Sequence, residues 1–168
     1  MTSGLVSLGL DPGLATTGYG VVRASARGWE VLAGGIIETE RTTSRPERLR
    51  EIYEEVTSLI ELYRPAGVAI EEVYFSTNVR TAMLTAESRG ALMLAAAGLP
   101  VRAYSPLEVK KRITGYGRAT KGQVQATIKQ LLRLRELPRP DDVADGLALA
   151  LCCLLDLEAE KRVRRADP

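Results

Sequence analysis

The chain opens with the apolar run Leu5-Val6-Ser7-Leu8-Gly9-Leu10, which ends on Asp11 and is followed by Pro12-Gly13. A short apolar run bounded by turn residues predicts a buried β-strand. Residues 17–23 and 29–38 then alternate well enough to complete a meander of three strands. An acid at the end of a buried strand is costly unless it is paired or binds a metal, so Asp11 is a candidate functional residue.

Beyond this meander the pattern changes to helices that alternate with short strands. Helix starts are indicated by capping signals at Ser44, Ser105 and Thr120, and the last helix begins near Pro140. The remaining predicted elements are a strand at Val68–Glu71, a helix from about Asn78 to Gly98, and a strand at Val101–Tyr104. This order predicts an α/β fold with a mixed central sheet of five strands flanked by helices.

Three further acids also lie at the ends of apolar runs. Glu71 closes its strand, and Asp142 and Asp145 are three residues apart, on one face of the last helix. Crossover geometry tends to bring the strand of Glu71 beside that of Asp11. The pattern therefore permits all four carboxylates to converge on an oxygen-rich site, which suits a hard divalent cation such as Mg²⁺.

The aspartates among these acids also have an ordinary structural interpretation. An aspartate before Pro-Gly is commonly a turn residue, and acids at the start of a helix are favoured by the helix dipole. Spacing alone leaves Asp141 with Asp145 as an alternative to Asp142 with Asp145. Glu72 is expected on the opposite face of the strand from Glu71.

The composition limits the possible reaction chemistry and indicates the cellular compartment. The 168 residues contain no histidine, which removes Ser-His-Asp and Cys-His catalysis and disfavours an ordinary zinc site. Metal-assisted attack on a phosphodiester is the chemistry left to the acids. Cys152 and Cys153 are adjacent in an apolar helical stretch, which indicates a reduced, cytoplasmic protein. Neither a membrane span nor a signal peptide is indicated.

We predict one domain over residues 1–157 and a charged, disordered tail over 158–168. The net charge is only +2, but nine basic residues and a single acid, Glu108, lie between Val101 and Arg135. The basic residues are Arg102, Lys110, Lys111, Arg112, Arg118, Lys121, Lys129, Arg133 and Arg135. A block of this kind favours contact with a polyanion, although any one of them could merely solvate a helix.

Several motifs together resemble those of the RuvC Holliday junction resolvases. The first is Gly9-Leu10-Asp11-Pro12-Gly13 with residues 17–22, the second is residues 69–74, and the third is residues 142–148. Val109-Lys110 and residues 115–121 resemble the basic segment of the family. The likeness extends from about Ser7 to Leu155, with every motif in order.

The resemblance implies a ribonuclease H-like fold and a homodimeric endonuclease. Such an enzyme cuts two strands of a four-way DNA junction symmetrically in recombination and repair, and its family partners are RuvA and RuvB. The resemblance implies two Mg²⁺ ions per subunit, or Mn²⁺ in their place, held by the catalytic acids Asp11, Glu71, Asp142 and Asp145. It assigns DNA contacts to Tyr74, Lys110, Arg118 and Lys121.

Two other classes of protein share part of this pattern. The first motif also resembles a phosphate loop of actin-like ATPases and sugar kinases, but those proteins need roughly twice this length and a second phosphate loop. A DNA-binding module without catalysis is disfavoured because all four acids are intact. The predicted homodimer is supported separately by the second helix, which has small and apolar residues on more than one face.

Overall fold

The computed structural model describes residues 4–73 and 78–166, which form a five-stranded sheet and five α-helices. The strands are β1 (Val6–Asp11), β2 (Thr16–Ser25), β3 (Gly28–Glu38), β4 (Gly67–Glu71) and β5 (Val101–Tyr104). The helices are α1 (Arg45–Tyr63), α2 (Val79–Ala95), α3 (Pro106–Thr114), α4 (Lys121–Leu131) and α5 (Asp141–Ala166). The predicted α/β class and mixed five-stranded sheet are confirmed.

The sheet has the strand order β3-β2-β1-β4-β5. The first three strands form an antiparallel meander, and β4 and β5 are parallel to β1. Leu10 is paired with Ile70 across β1 and β4, so the acids that follow, Asp11 and Glu71, lie at the same edge of the sheet. The crossover through α1 therefore places these two acids on adjacent strands.

Helices cover both faces of the sheet. On one face, α1 and α2 pack over a core that includes Leu8, Leu10, Ile52 and Leu92. On the other face, α3, α4 and α5 form a second core that includes Val124, Ile128 and Leu147–Leu154. Because side chains alternate along a strand, β1 contributes Leu8 and Leu10 to the first face and presents Ser7 and Gly9 to α5.

The backbone of α5 lies directly on the backbones of β1 and β2. A Cβ atom built on Gly9 would be 2.1 Å from the carbonyl oxygen of Gly146, and one on Gly18 would be 2.2 Å from that of Asp142. A Cβ atom on Gly146 would in turn be 2.5 Å from the carbonyl carbon of Tyr19. These glycines are needed for close approach, and the Ser7 hydroxyl adds a hydrogen bond of 2.7 Å to the carbonyl of Ala150.

The helix starts follow from local hydrogen bonds, as predicted. At Ser105 the backbone N–H donates to the Glu108 carboxylate at 2.8 Å, and the backbone N–H of Glu108 donates to the serine hydroxyl at 3.2 Å. Thr120 and Gln123 form the same reciprocal pair at the start of α4. Each pair satisfies two backbone donors that the first helical turn leaves free.

The end of the last helix differs from the prediction of a disordered tail that begins at residue 158. Helix α5 continues to Ala166 because its acids find partners on the sheet. The Trp29 indole donates to Glu158 at 3.1 Å, and Arg102 forms an ion pair with Glu160 at 2.8 Å. Across residues 4–73 and 78–166, no helix is long and apolar enough to cross a membrane.

The glycine contacts predict a large stability difference between two glycine-to-alanine substitutions. We expect Gly9→Ala to destabilise the protein by about 3 kcal/mol or more, because the new methyl group would overlap the backbone of α5. The control is Gly122→Ala in α4, where a Cβ atom meets nothing within 4 Å and should be neutral or slightly stabilising. Equilibrium denaturation in urea measures both, and equal stability of the two variants would contradict this account.

Candidate active site

The four predicted acids approach one another at one edge of the sheet. Asp11 ends β1, Glu71 ends β4, and Asp142 and Asp145 lie in the first turns of α5, all four half-buried. Burial raises the pKa of Asp11 to about 8, with further contributions from the negative charges of Glu71, Asp145 and Asp142. The structure therefore brings all four residues within electrostatic reach of one another.

Asp11 and Glu71 form the centre of this group. Burial and the charge of Asp145 raise the pKa of Glu71, while a hydrogen bond with Asp11 lowers it. The same interaction raises the pKa of Asp11, although burial is the larger cause. Two neighbouring acids whose pKa values are both raised indicate negative charge that the surroundings do not fully neutralise.

Lys121 partly offsets the charge at the other side of the group. Its ammonium donates to the Asp145 carboxylate at 3.1 Å and lies 3.4 Å from that of Asp141. Burial still raises the pKa of Asp145, although the hydrogen bond with Lys121 opposes this change. The pKa of Lys121 is raised by these carboxylates against the opposing effect of burial, so the lysine is positively charged.

The geometry separates Asp142 from its alternative, Asp141. Asp141 is exposed, and its pKa is lowered by a hydrogen bond from Gln125 and by the charge of Lys121. The amide of Gln125 donates to it at 2.9 Å. Asp142, not Asp141, is among the charges that raise the pKa of Asp11. Asp141 therefore belongs to the contact between α4 and α5, and Asp142 belongs to the acidic group.

The acidic group fits a hard divalent cation by its chemistry. It offers carboxylate oxygens only, and the raised pKa of Asp11 reflects burial first and then the negative charge of the neighbouring acids, which a cation would neutralise. Over the described ranges, 4–73 and 78–166, no three acidic or cysteine side chains already surround one point as a metal cage.

The other predicted site residues have different positions. Lys110 lies half-buried on α3, and Arg118 is exposed between α3 and α4. Within residues 4–73 and 78–166, neither forms an ion pair, whereas Lys121 contacts the acids directly. Tyr74 lies outside the described residues.

Two residues that support the site from outside it were not predicted from the sequence. Gln125 could have been found, because it lies one helical turn after Lys121 and therefore on the same face of α4. Arg89 of α2 donates from Nε to the backbone carbonyl of Glu71 at 3.1 Å, which fixes the end of β4. In the sequence Arg89 is one of three charged residues, with Arg80 and Glu87, in a helix rich in small and apolar residues, so no pattern indicated its role.

A mixed five-stranded sheet flanked by helices, with acids at the ends of β1 and β4 and at the start of the last helix, is the arrangement of a ribonuclease H-like fold. The yeast mitochondrial Holliday junction resolvase Ydc2 has this fold, with a TM-score of 0.64 at 12% identity over 88% of this chain and 78% of that chain. The family model for crossover junction endodeoxyribonuclease RuvC matches residues 7–153. The chain belongs to the RuvC family.

Individual relatives agree with the family match. The crossover junction endodeoxyribonuclease RuvC of Rubrobacter xylanophilus is 50% identical over 149 residues, which cover 88% of this chain and 83% of the relative. That of Heliobacterium modesticaldum is 46% identical over 151 residues, which cover 89% and 93%. The Thermus thermophilus RuvC structure superposes with a TM-score of 0.85 at 34% identity, over 92% of this chain and 97% of the other.

The raised pKa of Asp11 predicts how the stability of the metal-free protein depends on pH. The folded-state pKa of about 8 exceeds the ordinary value of 3.8, so folding is favoured most when this carboxyl is protonated. We therefore expect the melting temperature in chelator to fall as pH rises from about 5 to about 8.5. In Asp11→Asn this fall should be smaller, and the variant should melt a few degrees above the wild type near pH 8.

A control variant separates this effect from general charge repulsion. Glu51→Gln removes an exposed acid from α1 and should keep the wild-type dependence on pH. Identical melting curves for Asp11→Asn and wild type at both ends of this pH range would show that Asp11 is not held in a crowded acidic group.

Proposed function

We propose that this protein resolves four-way (Holliday) DNA junctions by symmetric, metal-dependent hydrolysis of phosphodiester bonds, in recombination and DNA repair. The observation that carries this proposal is the approach of four acids at one edge of the sheet: Asp11, Glu71, Asp142 and Asp145. Their surroundings raise the pKa of Asp11 to about 8. Family membership supports the substrate class, since one T. thermophilus RuvC structure is described as a complex with Holliday junction substrate.

The acids and Lys121 have distinct roles in this proposal. Asp11, Glu71, Asp142 and Asp145 would hold two Mg²⁺ ions per subunit, or Mn²⁺ in their place. Bound divalent cations supply an activated water and stabilise the leaving oxygen of an in-line displacement. Metal ligation would require Asp11 in its deprotonated form, and the positive charge of a cation would favour that form. Lys121, 3.1 Å from Asp145, is close enough to the acids to offset negative charge that develops on a phosphate.

A second group of residues would bind the DNA around the acids. Lys110 and Arg118 belong to the α3–α4 segment that also carries Lys121, and they provide unpaired positive charge for backbone phosphates. Tyr74 follows the strand of Glu71 in the sequence and would stack near bases at the junction, as the family resemblance implies.

The symmetric cut requires two sites, which a homodimer would supply. Helix α2 exposes large apolar side chains, including Met83 at 57% and Leu94 at 66%, which are costly to leave in water and suit a subunit interface. The proposed partners RuvA and RuvB follow from the family resemblance alone, and the proposed cytoplasmic setting follows from the adjacent cysteines, Cys152 and Cys153.

Asp11→Asn tests the proposed chemistry. The substitution keeps the size of the side chain and removes the charge that would hold the metal, so we expect cleavage of a synthetic four-way junction in Mg²⁺ to fall by about 10³-fold or more. Junction binding should persist or tighten, because one source of repulsion toward phosphate is removed. Cleavage near the wild-type rate would overturn the proposal. ATP turnover by the wild-type protein in place of cleavage would instead support the phosphate-loop alternative.

Lys121→Ala tests whether the lysine acts on the reaction or only on binding. If its ammonium offsets charge in the transition state, single-turnover cleavage should slow about 10- to 100-fold while junction affinity changes little. Arg133→Ala is the control, since Arg133 is exposed beyond the end of α4 and its loss should change only slightly the salt dependence of binding. Equal losses of affinity in both variants with unchanged rates would reduce Lys121 to a general phosphate contact.

A further inference from the structure

A cleft of about 650 Å³ with a mixed polar and apolar lining lies next to the acidic group but is not part of it. Its floor is the turn formed by residues 13–16, between β1 and β2, and its walls carry Arg41, Arg48 and Arg80. Thr81 and Thr85 complete the α2 side of the cleft. We call this feature the arginine cleft.

The arginine cleft opens at the same edge of the sheet as the four acids. The turn at residues 13–16 begins two residues after Asp11, and Thr16 is paired with Glu38 at the end of β3. Helices α1 and α2 begin after β3 and β4 end, so both present their first turns at this edge. The α3–α4 segment packs on the opposite face of the sheet. The acids therefore lie between two basic surfaces.

Among the residues that the structure describes, no carboxylate forms an ion pair with an arginine of the arginine cleft. Within residues 4–73 and 78–166, Arg41, Arg48 and Arg80 form no ion pair, whereas the neighbouring Arg45 is paired with Glu87 at 3.2 Å. Arg48 donates instead to two neutral oxygens, the Thr39 hydroxyl at 2.8 Å and the Leu14 carbonyl at 3.2 Å. These bonds hold its guanidinium at the cleft wall with its charge available to a ligand.

The position of these cations in their helices also indicates an anionic ligand. Arg48 lies in the first turn of α1 and Arg80 in the first turn of α2, where the helix dipole already places partial positive charge. Helix α1 has Glu47 in its first turn, whereas helix α2 has no acid in its first turn to compensate. Arg80 is therefore at an unfavourable position in the free protein, and a bound anion would remove that cost.

We propose that the arginine cleft binds backbone phosphates of the DNA substrate on the α1–α2 side of the active site. This inference rests on the proposed nuclease function and adds a DNA contact that lies outside the basic α3–α4 segment. A strand whose reacting phosphate lies at the acids continues in both directions, and its neighbouring phosphates need positive charge on both sides. Arg41 and Arg80 provide exposed guanidinium groups on the side opposite Lys121.

The test measures junction affinity against salt in chelator, so that no cleavage occurs. Arg41→Ala and Arg80→Ala remove the two exposed arginines, and Arg48 is left intact because it supports Leu14 and Thr39. We expect each substitution to reduce the slope of log affinity against log salt by about 0.9, and to weaken binding roughly three- to tenfold near 100 mM salt. Lysine at the same positions should restore most of the slope.

The matched control is Arg27→Ala, an exposed arginine in the turn between β2 and β3, at the opposite edge of the sheet. It should keep the wild-type slope, and melting curves of all variants check that they are folded. Unchanged slopes in both Arg41→Ala and Arg80→Ala would overturn the inference. The same result is expected if the cleft binds an acidic protein rather than DNA.

A second arm with linear duplex DNA distinguishes failure of this inference from failure of the proposed function. If the wild-type protein neither binds nor cuts the junction preferentially, the junction-resolving function is wrong. The arginine cleft would still be a phosphate site if its variants reduce the salt slope for duplex DNA. If the wild type cuts junctions and the cleft variants keep its slopes on both DNAs, the function stands and the inference fails.

Discussion

The contact between the backbone of α5 and the backbones of β1 and β2 is the constraint on which the rest of the structure depends. Glycines at positions 9, 18, 20 and 146 allow this approach, because a Cβ atom at any of them would overlap the opposing backbone. The approach determines where α5 begins relative to the end of β1. Asp142 and Asp145 reach Asp11 and Glu71 only because no side chains separate the helix from the strands.

This geometry concentrates negative charge, and the surroundings balance it only in part. Lys121 contacts Asp145, while burial and the neighbouring carboxylates raise the pKa of Asp11 to about 8. A site that was only structural would gain stability from a closer cation or from neutral side chains. The present arrangement lowers the stability of the folded protein, and a bound metal and bound DNA would explain it. The metal would supply the positive charge that the acids lack, and DNA phosphates would supply the negative charge that the basic residues lack.

Much of this arrangement could be predicted from the sequence because it depends on local patterns. Strand ends, capping boxes and the three-residue spacing of Asp142 and Asp145 are all short-range signals. The choice between Asp141 and Asp142 could not be made, since both can share a helix face with Asp145. It depends on Gln125 and Lys121 of α4, which contact Asp141 across 16 and 20 residues of chain.

Other features could not be predicted because they form only when distant segments meet. The tail beyond residue 157 is rich in charge and looks solvated, but Glu158 and Glu160 have partners on β3 and β5. The arginine cleft gathers residues from the β1–β2 turn and the starts of α1 and α2. No motif in the sequence connects these three segments.

The hydrogen bond from Arg89 to the carbonyl of Glu71 has a consequence for communication within the molecule. Arg89 lies on the same helix as the exposed Met83 and Leu94, so one rigid element carries both an open apolar surface and a support of the acidic group. The backbone carbonyl at the end of β4 is thus bonded to the helix that carries the apolar surface. A shift of α2 along the sheet would strain or break this bond.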